Sequence, residues 1–361
     1  MNHDGVTISL CMIVKNEERT LPGCLACLKD LVDEMVIVDT GSTDGTVDFV
    51  QRYAERLRRE RGQERVHLYH FDWIDDFAAA RNFAFSKATG DYIYSADADE
   101  TIDAENVRKF HALKEALDPR IEIVQMVYDN ETEFRSVYNT RRELRPKLFR
   151  RLRTFAWESP IHEKVRTEPV VYDSDIVILH RPEGEHAGRD LVNFRRALER
   201  GLALDRRLFT MYAREVWMGG SEDDFLQAEY YFAQEADAGE RSVDEIKMAC
   251  CVAAHAARLR NDLLSFMKYA LKCVAAEGCS EICCELGDYY LKGADPREAL
   301  LWYTNAALQD GGGTESLLDL RSRGSIALSG IADCYEALGD AEQERIYRQQ
   351  AAEWGTNEPT L

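Results

Sequence analysis

Between residues 6 and about 180, apolar positions come in short runs separated by stretches of helical period. The run 6–14 has strand length, and 35–38, 66–70 and 92–95 are three further short strands. Helix-length segments lie between them. Thr20 and Pro22 open one that reaches Leu31, and Gly45 leads into one that closes at Arg61-Gly62. Asp75 or Asp76 caps a third, which runs through Lys87 and is closed by Gly90. Strands alternating with helices form βαβ units and a largely parallel sheet. After Asp99 the pattern is mixed, with a helix near 104–117, strands near 121–128 and 144–150, and then a loop-rich stretch. There Asp173-Ser174-Asp175 is read as a turn before a strand at 176–179.

From about Asp190 every segment repeats at helical spacing: 225–236, 246–258, 263–275, 282–291, 298–308, 326–338 and 341–354. Two stretches look alike. Leu286-Gly-Asp-Tyr-Tyr290 is followed by Ala299, Tyr303 and Ala306, and Ala332-Asp-Cys-Tyr335 by Leu338-Gly-Asp340, Tyr347 and Ala351. Small residues at these spots let paired helices approach closely, and the tyrosines fill the gap. This resembles degenerate tetratricopeptide (TPR) helix pairs. The expected organisation is an α/β domain over 1–185, a helical linker over 186–220 and an all-α, TPR-like domain over 221–361.

Composition narrows the function. A chain of 361 residues with 45% hydrophobic residues builds two real cores, and a formal charge of −20 argues against nucleic acid or an anionic membrane as partner. With no N-terminal apolar segment and no long apolar run, the expectation is a cytoplasmic protein without membrane insertion. The ten cysteines then read as reduced, packed thiols.

The candidate chemistry sits where strands end. Tyr92-Ile-Tyr-Ser-Ala-Asp97-Ala-Asp99-Glu100 delivers two carboxylates into a loop, a pattern suited to a hard divalent cation and a diphosphate. Lys15-Asn16-Glu17-Glu18 ends the first strand, and Asp39-Thr-Gly41-Ser42-Thr-Asp44-Gly45-Thr46 follows the second. A capped turn accounts for the stretch from Ser42 to Thr46 but leaves Asp39 free to accept from ribose or base donors. Arg81 and Asn82 lie in the helix before the Asp97 strand, where Arg81 suits a bridge between the acidic loop and a phosphate.

Together these motifs resemble the family 2 glycosyltransferases, whose catalytic domain has the nucleotide-sugar-binding α/β fold called GT-A. The carriers are Ile13-Val-Lys-Asn-Glu17, 36–46, Ala80-Arg-Asn82 and 90–100, in order and across roughly half the chain. The resemblance implies that Asn16, Glu17, Asp39, Ser42, Arg81, Asp97, Lys147 and Arg150 bind the nucleotide, and that Asp99 with His180 holds Mn²⁺ or Mg²⁺. It implies a UDP-sugar donor and an acceptor hydroxyl or thiol on a peptide or glycan. Where the family commonly places an Asp-rich or Glu-Asp base motif, this sequence has only His162-Glu163 and Glu158, and Glu163 is the expected catalytic base, with Glu158 or Asp129 next. Arg145-Pro-Lys147-Leu-Phe149-Arg150 and Trp157-Glu158-Ser-Pro-Ile-His162-Glu163 look like a bacterial branch that includes bacteriocin S-glycosyltransferases. No Gln-x-x-Arg-Trp motif is present, so the resemblance does not extend to processive synthases. The helical domain suits acceptor binding or homodimer formation alike. Two rivals compete with this reading: a helical-repeat adaptor on a degenerate sugar-nucleotide domain, and a nucleotidyltransferase. Intact Asp39, Arg81, Asp97 and Asp99 oppose the first, and the glycine-free 10–17 segment opposes the second.

Overall fold

The computed structural model describes residues 5–130, 142–152, 157–158, 164–165, 168–180, 187–309 and 319–356. The chain divides into two compact units at Gly184/Glu185. In the first, strands β1 (Ile8–Val14), β2 (Glu34–Asp39), β3 (Val66–His70) and β4 (Tyr92–Ser95) alternate with helices α1 (Leu21–Leu28), α2 (Thr46–Arg61) and α3 (Phe77–Lys87). Then follow β5 (Glu100–Thr101), α4 (Ala104–Ala116), β6 (Ile123–Asn130), β7 (Arg142–Arg150), a small hairpin β8 (Trp157–Glu158) with β9 (Lys164–Val165), and β10 (Val171–His180). The main sheet has the order β3-β2-β1-β4-β7-β6-β10-β5. Its first four strands are parallel, β7 runs against both neighbours, and β10 lies parallel to β6. Parallel strands covered on both faces should be apolar throughout, and Ile8, Leu10, Cys11, Met12 and Val14 are all at most 2% exposed. The α2 stripe Val50, Tyr53 and Leu57 covers one face, and α3 supplies Ala84 to the other.

One boundary differs from the sequence reading. Asp173-Ser174-Asp175 is not a turn but part of β10, whose register with β6 shifts between Asp173 and Val177. The bulge absorbs the turn-forming residues: the Ser174 hydroxyl accepts from the Ile176 N–H (3.0 Å), and Asp175 pairs with Lys109 (2.9 Å).

The second unit contains helices α5 (Ala187–Glu199), α6 (Arg206–Gly219), α7 (Glu222–Ala238), α8 (Val243–Leu259), α9 (Leu263–Ala275), α10 (Ser280–Lys292), α11 (Pro296–Leu308), α12 (Ser325–Leu338) and α13 (Ala341–Thr356). The segment expected as linker forms α5 and α6, and its Leu191, Phe209, Tyr212 and Val216 join the same apolar core as α7–α12. Capping boxes start α7 (Ser221/Asp224) and α8 (Ser242/Glu245).

Tyr303 of α11 is wedged between two glycines. A Cβ on Gly287 of α10 would lie 2.8 Å from its ring, and one on Gly330 of α12 only 2.4 Å away. We expect Gly330→Ala to overpack this helix junction and cost about 1–3 kcal/mol in urea unfolding. A cost near zero would show that the tyrosine can swing clear.

Glu215 of α6 is 6% exposed, and burial, helped by nearby Asp190, pushes its carboxyl up to about 7. Folding therefore favours the protonated form. Its contribution is complete below the unfolded value of about 4.3 and is lost as pH rises through 7, for a total of roughly 4 kcal/mol. Glu215→Gln should raise the urea midpoint at pH 8 and leave it unchanged near pH 4. Equal shifts at both pH values would contradict this.

Candidate active site at the sheet's carboxyl edge

The loops after β1 and β2 are tied to one another. Asn16, at a left-handed φ of 59°, donates its N–H to Ser42 Oγ (2.9 Å), and its Oδ1 accepts from the Thr43 N–H (2.7 Å). The Glu17 N–H donates to Thr46 Oγ1 (2.8 Å), and the Glu18 carboxylate accepts from the Gly45 N–H (3.1 Å). A Cβ on Gly45 would meet that carboxylate at 2.4 Å, so a larger residue there would push the Glu18 side chain aside. Asn16, Glu17 and Ser42 thus shape one wall through their backbones and side chains together.

Asp39 ends β2 at 5% exposure. The sequence reading leaves it free for a nucleoside, but its carboxylate already accepts from the Gly41 N–H (3.0 Å) and the Ser42 N–H (3.2 Å). Gly41, at φ +103°, permits that turn. His70 Nδ1 of β3 lies 3.6 Å from the same carboxylate, and its Nε2 lies 3.1 Å from Asp72. Asp39 therefore fixes the turn and presents its remaining lone pairs beside an exposed imidazole.

Asp76 caps α3 by accepting from the Ala79 N–H, and this sets Arg81 over the end of β4. Its guanidinium donates to Ser95 Oγ (2.9 Å) and to Asp97 Oδ1 (2.8 Å). Crowding in the loop opposes ionisation of Asp97, yet Arg81 and then Lys147 hold its carboxyl below the usual range.

Asp99 and His180 meet although 81 residues separate them, with Asp99 Oδ2 3.1 Å from His180 Nε2. The antiparallel pairing of His180 with Glu100 brings the end of β10 to this loop. Asp99 Oδ1 is buried and has no hydrogen-bond partner among the described residues. A carboxylate oxygen in that position carries an uncompensated desolvation cost. A cation shared with the imidazole would offset it, so the residues fit a metal. One carboxylate with one histidine suits Mn²⁺ better than Mg²⁺, which takes oxygen ligands.

Beneath this loop Lys147 and Glu100 form a buried ion pair (2.7 and 2.8 Å), at 6% and 2% exposure. Burial pushes the Glu100 carboxyl above its usual range, and Lys147 pulls it part of the way back. Lys147 is therefore in the cluster, but as an internal counter-ion rather than an open phosphate ligand. Arg150 is not in the cluster. It pairs with Tyr92 at the far end of β4, so the antiparallel strand carries it away from the ligand edge. Glu163 and His162 lie outside the described residues. Sequence reasoning missed Ser95, Glu100 and Arg145, whose guanidinium lies 3.9 Å over the Tyr128 ring. Ser95 and Glu100 flank the recognised Asp97/Asp99 pair, so adjacency was the available signal.

Residues 9–170 match the family model described as glycosyl transferase family 2. A TPR repeat-containing protein of Synechococcus elongatus is 39% identical over 158 residues, which is 44% of this chain and 35% of that one. The SPbeta prophage-derived glycosyltransferase SunS of Bacillus subtilis is 29% identical over 174 residues, 48% of this chain and 37% of its own length. The chain thus spans little more than a third of these curated relatives, at 35% and 37%. Among solved structures, S. aureus TarS aligns with a TM-score of 0.41 at 13% identity, covering 73% of this chain and 54% of that one. The mannosyltransferase PcManGT of Pyrobaculum calidifontis, in complex with GDP-Man and Mn²⁺, aligns at 0.35 and 18%, covering 76% and 86%.

Proposed function

We propose, from the match of residues 9–170 to the glycosyl transferase family 2 model, that this chain moves a sugar from a nucleotide-sugar donor, a UDP-hexose, to an acceptor hydroxyl or thiol on a peptide or glycan, with inversion at the anomeric carbon. The observation that carries the reading is the Asp99–His180 pair with its unpartnered buried carboxylate oxygen, set beside Arg81–Asp97 at the carboxyl edge of a mostly parallel sheet. Ligands in open α/β sheets bind outside those strand ends.

Each residue then has a physical task. Asp39 accepts from the nucleobase beside His70, within the wall built by Asn16, Glu17 and Ser42. Asp97, kept ionised by Arg81, accepts from the ribose hydroxyls. Arg81, partly exposed, lends positive charge to the departing diphosphate. Asp99 and His180 would hold Mn²⁺, which when bound supplies Lewis acidity and charge neutralisation at the diphosphate. Glu163 takes the acceptor's proton.

Incubation with a panel of UDP-sugars tests this, reading UDP release with Mn²⁺ and with chelator. The reading requires release that depends on the cation and on one or few sugars, and cation-independent or absent release across the panel would defeat it. Glu163→Gln should lower transfer by about two orders of magnitude with little change in donor binding. An unimpaired variant moves the base elsewhere, to Glu158 of β8 or to Asp129 near the end of β6.

A further inference from the structure

The helical unit holds a thiol cluster that the transfer chemistry does not use. Cys251 stands midway along α8, Cys273 in the last turn of α9, and Cys279 immediately before α10. Their sulfurs converge: Cys251 and Cys279 are 3.3 Å apart, Cys273 and Cys279 are 3.7 Å apart, and all three lie within 4.8 Å of one another. Exposure is 1%, 0% and 7% in chain order. The backbone is bent to make this possible. Glu277 and Gly278 both adopt left-handed conformations (φ 74° and 69°), and for a glutamate that costs about 1 kcal/mol or more. Cys279 also occupies an N-cap, where Ser, Thr, Asp or Asn is preferred, yet its side chain makes no capping bond.

We propose that Cys251, Cys273 and Cys279 form a three-thiolate site for one thiophilic d¹⁰ cation, monovalent copper. Cation–thiolate bonds near 2.3 Å in a trigonal arrangement place sulfurs roughly 4 Å apart, so the cluster needs only small adjustments to close on an ion. Structural zinc is almost always four-coordinate. Among the described residues, no fourth histidine, cysteine or carboxylate atom joins the three within the same span. The buried Glu281 carboxyl interacts with Cys279 but falls outside that span of all three sulfurs, and three soft sulfurs match copper(I). Binding replaces the S–H bond of each thiol with a sulfur–copper bond, so every proton the three sulfurs carry is released to solvent, and neither sulfur nor copper changes oxidation state.

The test uses the full chain, reduced and free of chelator, titrated with Cu⁺ against a chromophoric copper(I) competitor, with Zn²⁺ in a parallel arm. One equivalent of copper per chain should survive the competitor. X-ray absorption at the copper edge of the unmodified protein should show a shell of three sulfurs. Cys251→Ser and Cys279→Ser should weaken binding by more than the about 10–100-fold that loss of an outer-shell partner costs. Cys334→Ser, which removes a buried thiol outside the cluster, should bind as the native chain does. Failure to retain copper, a nitrogen- or oxygen-containing shell, tighter retention of zinc, or equal loss in Cys334→Ser would each overturn the proposal. The absorption spectrum decides even where a variant fails to fold, and none of these outcomes bears on sugar transfer.

Discussion

Asp99→Asn is expected to lower sugar transfer by about three orders of magnitude, equivalent to about 4 kcal/mol of transition-state stabilisation. The thermal midpoint should stay the same or rise. The asymmetry follows from the local geometry. Asp99 Oδ2 faces His180, whereas Oδ1 is buried without a partner among the described residues. In the metal-free chain this carboxylate is a net cost, so a neutral side chain of the same shape relieves it. In the working enzyme the same change removes a charged ligand. Initial rates of UDP release in Mn²⁺, measured beside a melting curve, separate the two effects. A folded Asp99→Asn protein with near-native rates would refute the metal assignment, and a large drop in melting temperature would make the residue structural.

Lys147→Met should destabilise the α/β unit by about 3–5 kcal/mol, because it strands the Glu100 carboxyl in the core. Lys147 and Glu100 are 6% and 2% exposed and joined by two hydrogen bonds. Replacing both partners, Lys147→Met with Glu100→Gln, should restore most of the loss, since neither residue then leaves a charge buried alone. Urea unfolding of the two variants and the native chain gives the comparison. A cost below about 1 kcal/mol for the single variant is the signature of a solvent-screened surface cation, and it would return Lys147 to the role of an open phosphate ligand.

These two residues mark the boundary of what the sequence makes legible. Asp97 and Asp99 stand out because a four-residue apolar strand hands them directly to a loop, a local pattern that needs no knowledge of the rest of the fold. Lys147 is also conspicuous, but its burial depends on a carboxylate 47 residues earlier that only the sheet brings to it. Arg150 lies three residues further along the same strand. Because β7 runs against β4, those three residues lead away from the ligand edge, and strand direction is not written in a short stretch of sequence. Asp39 shows a third limit. The strand end is plain from the apolar run, but the carboxylate's capture of the Gly41 and Ser42 amides is a matter of turn geometry. His180 is within reach of the sequence, since an apolar strand ends on it. The same strand's earlier half is not, because Asp173-Ser174-Asp175 carries turn chemistry that a β-bulge accommodates. In the helical half, amphipathic periods are local, so spacing locates the helices from α7 onward closely. It does not reveal that α5 and α6 belong with them, because tertiary packing draws Phe209 and Tyr212 into the shared core.

The most direct measurement is anomalous diffraction at the manganese edge from crystals soaked with Mn²⁺ and UDP. A single strong peak within coordination distance of Asp99 and His180, with the UDP diphosphate against it and the uracil beside Asp39, is the predicted result. A peak elsewhere, or UDP ordered in the crevice with no metal beside Asp99, would contradict the account.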